Sequence, residues 1–115
     1  MITFWFILFC LGTPLPPTDV TMNITASGYY VYWSYNALPG RPEVDSFKIQ
    51  YKKVNKSVTW ITAAPTIPYN QRMYLLKAEM IDEETQYDFR VFASAGSTVS
   101  SAAYVSKRFL IGMIS

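Results

Sequence analysis

The basic side chains of this chain fall on strand-like stretches whose residues alternate between two faces. In Phe47-Lys48-Ile49-Gln50-Tyr51-Lys52, the apolar residues share one parity and Lys48, Gln50 and Lys52 the other. In Gln86-Tyr87-Asp88-Phe89-Arg90-Val91-Phe92-Ala93, the residues Tyr87, Phe89, Val91 and Ala93 share one face, and Gln86, Asp88, Arg90 and Phe92 the other. An arginine fork and flexible lysines on an outward face suit oxyanions, and their summed charge steers polyanions. The acid–base repertoire is thin by comparison. With no histidine there is no Ser-His-Asp or Cys-His pair and no imidazole metal ligand, and no glycine-rich phosphate loop is present. The carboxylate cluster Asp82-Glu83-Glu84 occupies consecutive turn positions, which splay apart. A solvated corner is expected there, not a paired acid and base or a tight calcium site. These residues predict no enzyme, no metal and no cofactor.

The elements that would position the cations form a single domain. Of the 115 residues 50% are hydrophobic, enough to bury a core without metal or disulfide support. The sole cysteine, Cys10, permits no disulfide framework. A net charge of +2 is too small for a dedicated nucleic-acid binder. Residues 1–12 form a hydrophobic leader too short to cross a bilayer, which needs about 20 residues. Their length suits the apolar part of a signal peptide, with Cys10 and Gly12 at the spacing of a cleavage site, although no basic residue precedes them. The alternative is a leader without a targeting role. Residues 13–17 are a Pro-rich lead-in, 18–111 the domain proper and 112–115 a C-terminal tail.

Within the domain, Val20, Met22 and Ile24 mark a first strand ended by Ser27-Gly28, and Tyr29, Val31 and Trp33 share the inner face of a second. Trp33 is the natural core anchor. A loop around Pro39-Gly40-Arg41-Pro42 leads to the strand bearing Lys48 and Lys52. A short edge strand is expected at 58–62 around Trp60, ended by Pro65 and Pro68. Leu76 and Ala78 feed a strand into Ile81, and the corner that follows leads to Tyr87. A last strand runs from Tyr104 to Leu110. Seven strands of antiparallel character predict an all-β, immunoglobulin-like β-sandwich. Tyr87 stands where its ring is buried and its hydroxyl can reach back into the preceding corner, with Ile81 and Trp33 completing the structural core.

These residues resemble the fibronectin type III signature. Proline precedes the first strand, tryptophan lies in the second, and Phe47-x-Ile49-x-Tyr51 makes the third. Ile81, Thr85, Tyr87, Arg90 and Val91 match the corner and its strand, with Glu83 where the family usually has proline. The match covers Pro16 to about Leu110. A narrower resemblance, carried by Phe47 to Val54, Trp60, Ile67-Pro68-Tyr69 and Ser106 to Leu110, is to the first fibronectin domain of the Hedgehog co-receptors of the interference hedgehog, CDO and BOC family.

The fibronectin resemblance implies that Arg90 lies on a strand pairing with the third. Lys48, Lys52 and Arg90 would then share one outer sheet face, with Lys53 and Lys56 at its edge and Asp88 partly neutralising it. The narrower resemblance implies a heparin-binding, self-associating module. The expected function is therefore recognition at the cell surface, with heparan sulfate and a Hedgehog-type ligand or a second copy as partners. Extracellular placement in a single-pass receptor or a secreted fragment follows, with the membrane reached only through parts beyond this chain. The alternative is a spacer domain of another adhesion or signalling receptor or a muscle-type array, its lysines merely solvating the sheet. Tyr30, Tyr32 and Leu75 project from the opposite sheet as a candidate partner interface, or as ordinary cross-strand pairs. Two glycosylation sequons occur, at Asn23 and at Asn55, the latter in a predicted loop. Neither Arg-Gly-Asp nor a Trp-Ser-x-Trp-Ser box is present.

Overall fold

The computed structural model describes residues 12–54, 59–77 and 86–110, and for 107–110 the backbone alone. Ile81, Asn55, Lys56 and the carboxylates of the 82–84 corner lie outside the described residues. Two sheets face one another. The first has the order β5-β2-β1-β9, formed by Met73–Lys77 (β5), Gly28–Ser34 (β2), Thr18–Thr25 (β1) and Lys107–Leu110 (β9). The second runs β4-β3-β6-β7, from Ile61–Pro68 (β4), Ser46–Lys53 (β3), Tyr87–Ala95 (β6) and Thr98–Val99 (β7), with Ala103–Tyr104 (β8) also on β6.

Period-two patterning explains which face of each strand is buried. Val20 and Met22 of β1, Tyr29, Val31 and Trp33 of β2 and Leu76 of β5 meet Phe47 and Ile49 of β3, Ile67 of β4 and Tyr87, Phe89, Val91 and Ala93 of β6 in one core. Trp33 is in it as expected, packed edge-on against Phe47 at 5.6 Å between ring centres. Its indole Nε1 is buried with no acceptor among the described residues. The Tyr87 ring is buried against Tyr29 at 5.6 Å and Tyr51 at 5.8 Å.

The β1–β2 hairpin turns through Ala26 and Ser27, so Gly28 opens β2 rather than ending β1. Its φ of 136° is one a side chain would resist. The Thr25 hydroxyl ties this turn, accepting from the Ser27 amide at 3.1 Å and donating to the Gly28 carbonyl at 3.1 Å.

Two strand expectations are corrected. The edge strand is Ile61–Pro68, and Pro65 lies within it instead of ending it. The register with β3 steps from Phe47↔Ile67 to Ile49↔Ala64 and then to Gln50↔Thr62. The first step skips Pro65 and Thr66, so the missing N–H falls in a bulge where the ladder does not need it. The last strand is divided. Ala103 and Tyr104 pair with β6, whereas β9 pairs with β1 and does so in parallel, the one departure from antiparallel pairing among the described strands. The crossing is made by two amides: Val105 N–H still bonds the Phe89 carbonyl at 3.3 Å, and Ser106 N–H bonds the Val20 carbonyl at 2.9 Å.

Candidate functional site: a cation–aromatic ladder

On the outward face of the second sheet, β3 presents Lys48, Gln50 and Lys52, and β6 presents Asp88, Arg90 and Phe92. Register sets Lys48 opposite Phe92, Gln50 opposite Arg90 and Lys52 opposite Asp88. The three cations therefore zigzag across two adjacent strands, with steps along the strands of about 7 Å.

The cations are held by rings. Lys48 Nζ lies 4.6 Å from the centre of the Phe92 ring. The Arg90 guanidinium lies 5.1 Å from that ring and 4.2 Å from the ring of Trp60, and Lys52 Nζ is 4.9 Å from Trp60. The order Lys48, Phe92, Arg90, Trp60, Lys52 makes a continuous ladder of half-buried side chains. Tyr104 extends it, its ring 6.0 Å from that of Trp60 and 58% exposed. Each contact draws a cation to a ring's negative face and contributes about 0.5–1 kcal/mol at such exposure. Arg90 is further oriented by its Nε donating to Gln50 Oε1 at 2.8 Å. Gln50 Nε2 in turn donates to the Thr62 hydroxyl on β4 at 3.1 Å. A guanidinium stacked and fixed at one edge keeps its other N–H groups for an oxyanion.

Of the expected cations, Lys48, Lys52 and Arg90 are brought together. Lys53 is not: it has the opposite parity to Lys52 and pairs in register with buried Tyr87, so it stands on the other side of β3. Lys56 lies outside the described residues. Sequence reasoning missed the rings. Phe92 is the one apolar residue in the outward set of its strand, a signal that it packs against outward neighbours. Trp60 and Tyr104 gave no comparable signal, because neither belongs to a long alternating run.

On the opposite sheet, Tyr30 and Tyr32 stack with ring centres 6.3 Å apart. Tyr30 stands between Leu75 of β5 and Asn23 of β1, and Tyr32 between Met73 and Thr21. Away from both faces, residues 37–45 and Tyr69 surround an open groove of about 780 Å³. Beside it, the Arg72 guanidinium lies over the rings of Tyr69 at 4.6 Å and Phe47 at 5.0 Å. Among the described residues no group of histidine, cysteine, aspartate or glutamate side chains could hold a metal ion. No described helix is long and apolar enough to cross a membrane.

A two-sheet, all-β sandwich with this strand order defines an immunoglobulin-like β module. A sequence model of the fibronectin type III domain matches residues 15–106, and the chain belongs to that family. Such domains are typically structural or binding modules. Among solved structures, the chain is similar to domains A168–A170 of titin, at 17% identity and a TM-score of 0.61, covering 82% of this chain and 31% of that one. It is similar to titin kinase with its flanking domains, at 17% identity and a TM-score of 0.64, covering 79% of this chain and 16% of that one. It also resembles the third fibronectin III domain of the human KIAA0343 protein, at 18% identity and a TM-score of 0.64, covering 81% of this chain and 79% of that one. At these identities the likeness is one of fold.

Proposed function

We propose that this domain is an extracellular recognition module of a cell-surface receptor that binds heparan sulfate through Lys48, Arg90 and Lys52. The observation that carries the reading is the ladder itself. Ring contacts hold the three cations at defined positions on one sheet face, so a polyanion meets side chains that have already lost much of their rotamer freedom. The resemblance of the third strand and of Ser106 to Leu110 to the first fibronectin domain of the Hedgehog co-receptors supports the same reading. It adds a Hedgehog-type ligand or a second copy as the protein partner.

The test is elution from a heparin column against salt. Binding by exposed cations weakens steeply as ionic strength rises and the screening length falls toward about 3 Å at 1 M. The folded domain is expected to elute above physiological salt, and a Lys48→Ala, Arg90→Ala, Lys52→Ala triple variant in the flow-through. Retention of that variant at unchanged salt would refute the assignment. A wild-type domain that never binds would favour the second reading, a spacer module, for which the fold shared with multidomain titin structures is the supporting observation.

A further inference from the structure

Asn23 is out of place by strand chemistry. Asparagine is depleted in strand interiors, yet this one lies in β1 between two core-packed residues, Met22 and Ile24. Alternation therefore turns it outward, where it is half-buried, and its amide forms no hydrogen bond among the described residues. Directly opposite stands Tyr30, with Cβ atoms of such a pair about 5 Å apart. Tyr32 stacks on Tyr30, so two rings form a half-buried aromatic surface beside that amide. Asn23-Ile24-Thr25 is an acceptor sequon, with the hydroxyl residue two positions on along the same face.

We infer that Asn23 carries an N-linked glycan whose first N-acetylglucosamine packs on the Tyr30 ring, so that the occupant of the tyrosine face is this chain's own sugar. In the addition, the Asn23 amide nitrogen forms a bond to C1 of the sugar of a lipid-linked oligosaccharide. The bond from C1 to the lipid pyrophosphate oxygen breaks, the pyrophosphate leaves with the electron pair, and the amide gives up one proton. The C–H bonds on the apolar face of a pyranose are drawn to the negative face of an aromatic ring, and a sugar tethered directly across the strand needs no further ordering to reach it. Folding also dates the reaction. In the folded hairpin the Thr25 hydroxyl is committed to Ser27 and Gly28, so transfer precedes closure of the β1–β2 turn.

This inference rests on the secretory placement proposed above, and the experiment separates the two. The full chain is secreted from mammalian cells behind a heterologous signal peptide and analysed by glycopeptide mass spectrometry, while its heparin elution is recorded independently. Asn23 is expected to be occupied. Trimming to one N-acetylglucosamine should leave the melting temperature unchanged, whereas Asn23→Gln should lower it by about 4–8 °C, the scale of one ring contact in a domain of this size. Tyr30→Leu should preserve occupancy and abolish that difference. An unmodified Asn23 in the secreted chain would overturn the inference, as would a melting difference that persists with Tyr30→Leu. So would a dimer of the glycan-free domain that Tyr30→Leu dissolves, which would assign the face to a second copy.

Discussion

Asp45 shows how a single exposed carboxylate can pin two loops. Its Oδ2 accepts from the Gly96 amide at 2.9 Å and its Oδ1 from the Ser46 hydroxyl at 2.9 Å, while its own N–H bonds the Ser94 carbonyl at 2.9 Å. The Gly96 amide first and the Ser46 hydroxyl second favour the carboxylate form and hold its pKa below the ordinary 3.8. A depressed acid contributes stability that is present above the unfolded value of 3.8 and is lost as pH falls through the lower folded value. Thermal melts between pH 2 and 6 are therefore expected to show a shallower acid limb for Asp45→Asn than for the parent. Parallel limbs would mean that other carboxylates dominate. Nothing in the sequence marks Asp45 for this role, because its partners Gly96 and Ser94 lie some fifty positions away. The core role of Trp33 was legible from parity alone, but the lack of an acceptor for its indole N–H depends on three-dimensional neighbours.

At the scale of elements, alternation made β1, β2, β3 and β6 readable, but the face that Lys48, Lys52 and Arg90 share followed only from the fibronectin resemblance, which pairs β3 with β6. Where tertiary pairing overrides local chemistry, reading failed. Two prolines argue against a strand over 61–68, yet an edge strand paired on one side tolerates bulges, and the register shifts place Pro65 where no ladder bond is due. The break at Val105 and Ser106 was equally hidden, since a strand that changes sheets has the same period-two pattern as one that does not. Pro65 has a further consequence. An open edge with unpaired N–H groups invites another strand, and proline blunts that edge. Pro65→Val is expected to change monomer stability by less than about 1 kcal/mol, because the bulge makes few ladder bonds, while raising concentration-dependent association in light scattering. A variant as monomeric as the parent would show that the bulge alone protects the edge.

At the scale of the molecule, the two faces for which an occupant is proposed lie on opposite sheets with the whole core between them. The ladder of Lys48, Phe92, Arg90, Trp60 and Lys52 looks outward from β3 and β6, and the Asn23–Tyr30 surface from β1 and β2. No side chain belongs to both, and substitutions at separated sites without shared partners add to within about 0.5 kcal/mol. A domain built in this way could carry a glycan on one sheet without masking the cationic face of the other. The salt concentration at which heparin releases the domain should thus be the same for the glycosylated form and for Asn23→Gln. The ring substitution Trp60→Ala should act only on the ladder, freeing the Arg90 and Lys52 heads to sample more rotamers and moving elution to lower salt while leaving all charges in place. Because the net charge is unaltered, a purely long-range attraction would leave elution of Trp60→Ala where it was. A shift therefore distinguishes ring-held cations from a diffuse basic surface.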